Sequence, residues 1–364
     1  MFRLLIRKAF LSIVLSLSTL VAVNAQHEDH HDHEAAEGKK KFNVGDMIMH
    51  HIKDDHGWEF AHGLTLPLPV ILYTEERGLD VFSSSHFAHE ANYEGYVKEH
   101  NKIYRAGADG KPDKTIKVLD FSITKNVASL LLSAVLLIVV FFSVQKGYEK
   151  NRGKAPKGLQ SFLEPVILFV RDEIAKPNIG PKYIKYLPFL LTLFFFILFN
   201  NLLGLVPGGA NLTGNIAITM TLAVITFLIV NLSGNKHYWA HLFKPTGVPV
   251  ALLPIMIPVE IVGVFMKPFS LMVRLFANIT AGHIIILSLL GLIFIANDLG
   301  GTGMGWGVSP LIVAFSLFMN LIELLVAFLQ AFIFTLLASM YIGSAIEDHH
   351  EADHGIGYEG PEAH

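Results

Sequence analysis

Two apolar runs of helix length carry ionisable side chains near their centres, and few folds accommodate that combination. The first, Pro254–Leu287 (PIMIPVEIVGVFMKPFSLMVRLFANITAGHIIIL), holds Glu260, Lys267, Arg274, Asn278 and His283. The second, Ser309–Ser344, holds Asn320, Glu323 and Gln330. Runs of this length and apolarity are read as membrane helices. An ionised side chain at bilayer depth is costly even on lenient insertion scales, so residues of this kind mark an ion path. Arg274 is the sharpest constraint. Its guanidinium stays protonated at physiological pH, so it is a fixed positive charge. A fixed charge cannot relay protons, but it attracts a mobile carboxylate and blocks a proton leak.

If the two runs form an antiparallel hairpin joined by a loop near Asn297–Val308, residues at equal depth have roughly constant index sums. Arg274 with Gln330 gives 604 and His283 with Glu323 gives 606. Both polar pairs thus fall into one register, about 10–14 Å apart in depth at 1.5 Å per residue. Glu260, Lys267 and Arg274 recur every seven residues and share one stripe. His283 lies nine residues past Arg274. It is turned about 900° further and points to the other side of the helix. This predicts two separate water-filled half-paths and not one continuous pore. Snorkelling to the membrane surface accounts equally well for Lys267, and helix–helix hydrogen bonding is the plain structural alternative for the polar set.

Composition sets the class. Of 364 residues, 52% are hydrophobic and only 16% charged, which fits a multi-span membrane protein and not a soluble domain. No cysteine is present, which excludes disulfides and thiolate metal sites. A net charge of −3 gives no case for nucleic acid. No GxxxxGK[ST] loop occurs, so nucleotide chemistry would have to sit on another chain.

Met1–Ala25 reads as a secretory signal, with Arg3, Arg7 and Lys8, an apolar core, and Val23-Asn24-Ala25 before Gln26. A short uncleaved first span is the alternative, and either way the following segment is exported. Gln26–Lys41 sets His27, His30, His31 and His33 among acidic residues. That composition reads as a solvated tail with loose capacity for divalent metal. Phe42–Leu119 is polar with β-prone pieces at Leu64–Tyr73 and Ile116–Phe121. Residues 26–119 therefore form an exported tail and small external region, ahead of a membrane domain at 120–345.

Phe121–Val144 is the first expected span, and Lys146, Lys150, Arg152, Lys154 and Lys157 after it mark the cytoplasmic side. Gly158–Ala175 holds Glu164, Arg171, Asp172 and Glu173 between basic flanks and reads as an interfacial helix. Tyr186–Val206 leads outward, the loop PGGANLTG lacks basic residues, and Asn215–Leu232 returns to Lys236 and Lys244. The runs 249–295 and 309–345 exceed the ~20 residues that cross the hydrocarbon, so they must tilt strongly. The expected fold is an all-α integral membrane protein. It has about five transmembrane helices, one interfacial helix and a long tilted C-terminal hairpin, preceded by a small exported region. Parity puts the acidic tail at 346–364, with its further histidines, in the cytoplasm.

RLFANITAGH (274–283), PVEIVGVFMKPFSL (258–271) and LLVAFLQAFIFTLLASMYI (324–342) resemble subunit a of F-type ATP synthases, over about 120–344. MIMHHI (47–52) resembles the short His-His element near the start of family members, which makes the following sixty or so residues an insertion. By this resemblance Arg274 is the stator arginine, Asn278 and Gln330 are its polar neighbours, and Glu260 belongs to the cytoplasmic half-channel. His283, Glu323 and Asn320 complete the expected proton-translocation set. Many bacterial members carry Glu at the position of His283 and His at that of Glu323. The pair is exchanged here, as in mitochondrial members. The resemblance implies a non-catalytic, proton-translocating subunit without cofactor or metal. Its partners would be a c-subunit ring, peripheral-stalk b subunits, the soluble ATPase head and membrane lipid, with no nucleic acid. Its place would be the cell inner (plasma) membrane, multi-pass, with the N-terminus periplasmic and the C-terminus cytoplasmic. The rival reading is a secondary ion-coupled transporter, which predicts internal repeats and broken helices. The first two spans carry no counterpart of the Arg/Gln hairpin. An inert assembly scaffold is the third reading.

Overall fold

The computed structural model describes residue 45 and residues 54–61, 64–89, 92–99, 102–107, 109–206, 208–243 and 252–347. The expected signal at 1–25, the His-rich tail, the MIMHHI element and the acidic tail beyond 347 lie outside the described residues.

Residues 57–120 are a β-rich unit, as the β-prone pieces predict. Its strands are β1 (Gly57–Ala61), β2 (Leu64–Pro67), β3 (Pro69–Thr74), β4 (Gly78–Ser83), β5 (Asn92–Tyr93), β6 (Tyr96–Glu99), β7 (Lys102–Ala106), β8 (Pro112–Asp113) and β9 (Leu119–Asp120). They form three small antiparallel sheets, ordered β1-β2, β4-β3-β9 and β5-β6-β7-β8. Side chains alternate across a pleated strand. Accordingly Val70, Leu72 and Thr74 of β3 point inward, where Tyr96 and Ile103 join the two apolar ones in a core. The Tyr96 hydroxyl donates to Asp80 Oδ2 at 2.6 Å, which gives the buried ring's polar end a partner.

This unit is clasped to the helices that follow. The Trp58 indole donates to the Gly208 carbonyl at 2.7 Å. The first backbone N–H groups of the next helix reach back, Lys125 to the Asp55 carbonyl and Asn126 to Asp54 Oδ1. Between them sits His56, 2% exposed, with Nε2 2.9 Å from Asp120 Oδ2. Burial works against the Asp120 carboxylate. Hydrogen bonds from His56 and from the side chain and backbone of Ser122 outweigh it, and hold Asp120 below the ordinary carboxylate range.

The remainder is helical: α1 (Lys125–Lys150), α2 (Leu159–Phe169), α3 (Tyr183–Gly204), α4 (Ile216–Ser233), α5 (Lys236–Phe243) and α6 (Leu253–Ile346). Thr124 caps α1, its side chain accepting from the Val127 N–H, and Asn215 caps α4 in the same way through Ala217. Among the described residues four helical stretches are long and apolar enough to cross a membrane: Lys125–Lys150, Leu159–Gly204, Ile216–Ser233 and Leu253–Ile346. The burial of α1 is inverted relative to a soluble protein. On α1 the buried residues are Asn126, Ser129, Ser133 and Val144, while Leu131, Val135, Ile138 and Phe142 face outward. That is the pattern expected where the solvent is lipid and only small or polar groups gain from facing inward.

α6 runs for 94 residues but is not one rod. Gly301, with φ 73° and ψ −179°, breaks it into limbs at 253–300 and 302–346. Glycine alone takes that conformation without strain. The turn is therefore tighter than the loop expected over Asn297–Val308, because helix continues on both sides of one residue. Each limb is about 70 Å long at 1.5 Å per residue. That is more than twice the ~30 Å hydrocarbon thickness, so a limb crosses only by tilting.

The second limb packs through a ladder of small residues. Ala327, Ala331, Thr335, Ser339 and Gly343 recur every four residues and all are buried, so they lie on one stripe that admits close approach of another backbone. The segment that Ser339 and Gly343 meet joins α2 to α3. It contains a π-helical stretch, Val170–Ala175, whose Ile174 carbonyl accepts from Asn178 Nδ2 at 2.7 Å and Ser339 Oγ at 3.2 Å. A carbonyl displaced from regular helix pairing thus keeps its partners. One rung higher, a side chain on Gly343 would run into the Asn178 carbonyl.

Two expectations follow. Gly343→Ala should lower thermal stability in detergent by the equivalent of about 1–3 kcal/mol, the usual cost of overpacking. Gly263→Ala, where the space is open, should be neutral or better. Asp120→Ala should weaken the β-rich unit by about 1–3 kcal/mol at neutral pH, since buried His56 loses its side-chain partner. Because folding lowers the Asp120 pKa, the wild-type contribution is complete above the unfolded value of about 3.9. It is lost as pH falls through the lower folded value, so the acid limb of a stability-versus-pH curve should be shallower in the variant.

Candidate functional site

The two limbs of α6 meet along a polar seam. Asn278 Nδ2 donates to Gln330 Oε1 at 3.0 Å. His283 Nδ1 lies 2.6 Å from Glu323 Oε1. Lys267 Nζ sits 5.3 Å from the centre of the Tyr341 ring. The index sums of these pairs are 608, 606 and 608, so a single antiparallel register holds from end to end. The expected level pairing of Arg274 with Gln330 is displaced by one turn. The amide that bonds Gln330 belongs to Asn278, which follows Arg274 by four residues on the same face.

Burial divides the members. Glu323 and Gln330 on the second limb are 5% and 1% exposed, while Arg274 and His283 on the first are half-buried and Asn278 is exposed. The close approach of Glu323 to His283 depends on the neighbouring Gly282, where a Cβ would stand 2.8 Å from Glu323 Oε1. Among the described residues, buried Glu323 Oε2, Gln330 Nε2, Thr280 Oγ1 and Ser316 Oγ find no hydrogen-bond partner. Native interiors rarely leave such groups unmatched. An imidazole and a carboxylate in contact can each take and give a proton.

Arg274 stands apart. Among the described residues it has neither a salt bridge nor a hydrogen bond, although a guanidinium carries five donors. Glu260, fourteen residues earlier on the first limb, is half-buried and equally without a partner among the described residues. Asn320 is half-buried and donates to the Ser316 carbonyl of its own helix at 2.8 Å. It is therefore not hydrogen-bonded to the His283–Glu323 pair, three residues away.

One contact at this level is absent from the sequence-derived set. Asn201 of α3, 2% exposed, donates to the Ala327 carbonyl at 3.1 Å and accepts from the Thr213 hydroxyl at 2.7 Å. Ala327 lies between Glu323 and Gln330, so Asn201 fixes α3 and the loop after it against the polar seam. The signal was an Asn-Asn pair in an apolar run. Its partner is a backbone carbonyl, and residue identity says nothing about carbonyls.

The fold and seam define a polytopic membrane protein with polar pairs between the limbs of one long folded helix and, on the face that carries Asn278, an arginine with no hydrogen bond or salt bridge among the described residues. The family model for the ATP synthase A chain matches residues 127–343, from the start of α1 almost to the end of α6. A second family model, for a domain of unknown function, matches residues 47–121, the β-rich unit. The chain is 48% identical over 244 residues to ATP synthase subunit a of Chloroherpeton thalassium, covering 65% of this chain and 71% of the relative. It is 38% identical over 348 residues to that of Chlorobium phaeobacteroides, covering 94% and 87%. It is 40% identical over 355 residues to ATP synthase subunit a 2 of Chlorobaculum tepidum, covering 93% and 86%. The chain belongs to the ATP synthase A chain family.

Proposed function

We propose that this chain is the stator of a proton-driven rotary motor, in which two offset half-channels and Arg274 couple proton flow to rotation of a c-subunit ring in an F-type ATP synthase. The observation that carries the reading is Arg274, a half-buried guanidinium on a membrane helix with no acceptor among the described residues. A charge held at that depth without an internal counter-ion is costly. It becomes favourable when a carboxylate on a neighbouring subunit passes in front of it.

A proton enters from the outer side past His283 and Glu323 and neutralises that carboxylate. The neutral acid turns through lipid, where the charged form would be too costly. After nearly a full revolution it reaches the inner path near Glu260, about 34 Å along the limb from His283 at 1.5 Å per residue, and loses its proton. Arg274 draws the bare carboxylate back toward the stator and prevents a direct leak. Asn278 and Gln330 hold the polar lining beside it. The chain performs no catalysis. Peripheral-stalk b subunits would keep it from turning, and the soluble ATPase head would use the torque. Lysines and arginines at 146–157, 176–185 and 236 support a cytoplasmic position for that end of the bundle under the positive-inside rule. The β-rich unit and the N-terminus would then be periplasmic, the C-terminus cytoplasmic, and the membrane the inner one.

Arg274→Ala should abolish proton-driven ATP synthesis in membrane vesicles while ring and head remain assembled. Arg274→Lys should also fail, since an ammonium lacks the planar fork and loses its proton more readily when desolvated. Normal synthesis by either variant would refute the stator reading.

A double-mutant cycle tests the outer path. His283→Glu alone sets two carboxylates together, and Glu323→His alone sets two imidazoles together. The double exchange restores one acid and one base at 2.6 Å contact. Because the two side chains are in direct contact, synthesis by the double variant should exceed that of the worse single variant beyond additivity. Additive losses in assembled complexes would show that the two residues do not share a path.

A further inference from the structure

We infer that the cleft between the start of α3 and the ends of α4 and α6 binds the phosphate headgroup of an anionic phospholipid. Three helix ends converge there. Lys182 and Lys185 come from the first turn of α3 and the residue before it, Ser233 and Asn235 from the end of α4, and Ile346 closes α6. The walls are fixed by backbone contacts. The Asn235 N–H donates to the Ala345 carbonyl at 3.0 Å, and its side-chain amide to the Glu347 carbonyl at 2.9 Å. Lys182 Nζ reaches the Ile346 carbonyl at 3.5 Å.

The electrostatics favour an anion. Lys182, Lys185 and the positive end of the α3 dipole together outweigh the negative ends that α4 and α6 bring to the cleft with their C-termini, and Ser233 contributes a hydroxyl. Lys185 leans over the Tyr186 ring at 5.4 Å, and among the described residues no carboxylate pairs with it. The volume, about 610 Å³, is far larger than a bare phosphate needs and lies in the range of pockets that hold whole small molecules. The rim then selects lipid. Ile184 is 68% and Leu232 84% exposed beside the cleft. On α5, Trp239 and Phe243 are exposed at the same end of the bundle, as aromatic side chains are at a membrane interface. An anion joined to hydrocarbon satisfies the lysines and the exposed aliphatic side chains together, and basic pockets between membrane helices take headgroups in this manner. The inference requires only that the chain spans a membrane and is independent of the proton path.

The test is native mass spectrometry of the full chain in its complex, in mild detergent, with phosphatidylglycerol, phosphatidylcholine or inorganic phosphate added. Wild type should retain phosphatidylglycerol in preference to phosphatidylcholine, and millimolar phosphate should not displace it. Lys182→Gln with Lys185→Gln should weaken retention on the order of tenfold to thirtyfold, from two lysines near a headgroup. Lys185→Gln alone, which leaves the contact to Ile346 in place, should account for several-fold of that. Lys154→Gln with Lys157→Gln removes the same charge outside the cleft and should change nothing. Equal retention of phosphatidylcholine, or equal loss in the control pair, would overturn the proposal. Displacement by phosphate would assign the cleft to a free anion and overturn the lipid assignment.

Discussion

The seam depends on the reversal of α6 at Gly301. A backbone at φ 73° sends the chain back on itself within one residue, and the two limbs then stay in register over the distance from Asn297 to Lys267. Every polar pair between them inherits that register. Shifting one limb by a residue would turn each side chain by about 100° and carry Glu323 away from His283. In lipid such a shift would strand carboxylate, imidazole and amides without partners, and that cost is what holds the register.

The second limb satisfies two neighbours at once. Toward the first limb it presents Glu323 and Gln330. On its other stripe it presents Ala327, Ala331, Thr335, Ser339 and Gly343, of which Ala327 meets α3 and Ser339 and Gly343 meet the α2–α3 segment. Large side chains on the second stripe would hold the backbones apart, and Ser339 could not reach the Ile174 carbonyl. Small residues set the spacing, and the spacing allows the polar contacts. Asn201 works in the same direction from α3, binding the Ala327 carbonyl between the two polar pairs. The seam is thus supported from behind by α3 and by the α2–α3 segment.

The β-rich unit follows other rules. Its core is a soluble-protein core built on Val70, Leu72, Tyr96 and Ile103, and the chain changes solvent within the few residues from Asp120 to Lys125. At that junction Asp54 and Asp55 are tied to the first turn of α1, buried His56 to Asp120, and Trp58 to Gly208. The clasp fixes the unit to the loop between α3 and α4.

The apolar runs determined the helices, because twenty or more residues without charge have no other stable state in a bilayer. The polar inventory of the two longest runs, with their index sums, predicted which pairs lie level, and the contacts fall in that register to within one turn. That single turn required the tertiary structure. Which of Arg274 and Asn278 meets Gln330 depends on helix rotation, and a hydropathy pattern does not specify rotation when most of the helix surface is apolar. The reversal was expected as a loop over Asn297–Val308, since glycines suggest irregular chain. Only the packing of the limbs shows that one glycine suffices. The ladder from Ala327 to Gly343 and the anchoring of Asn201 were hidden for a related reason. Their partners are backbone carbonyls and the empty space beside them, which exist only once the helices are assembled.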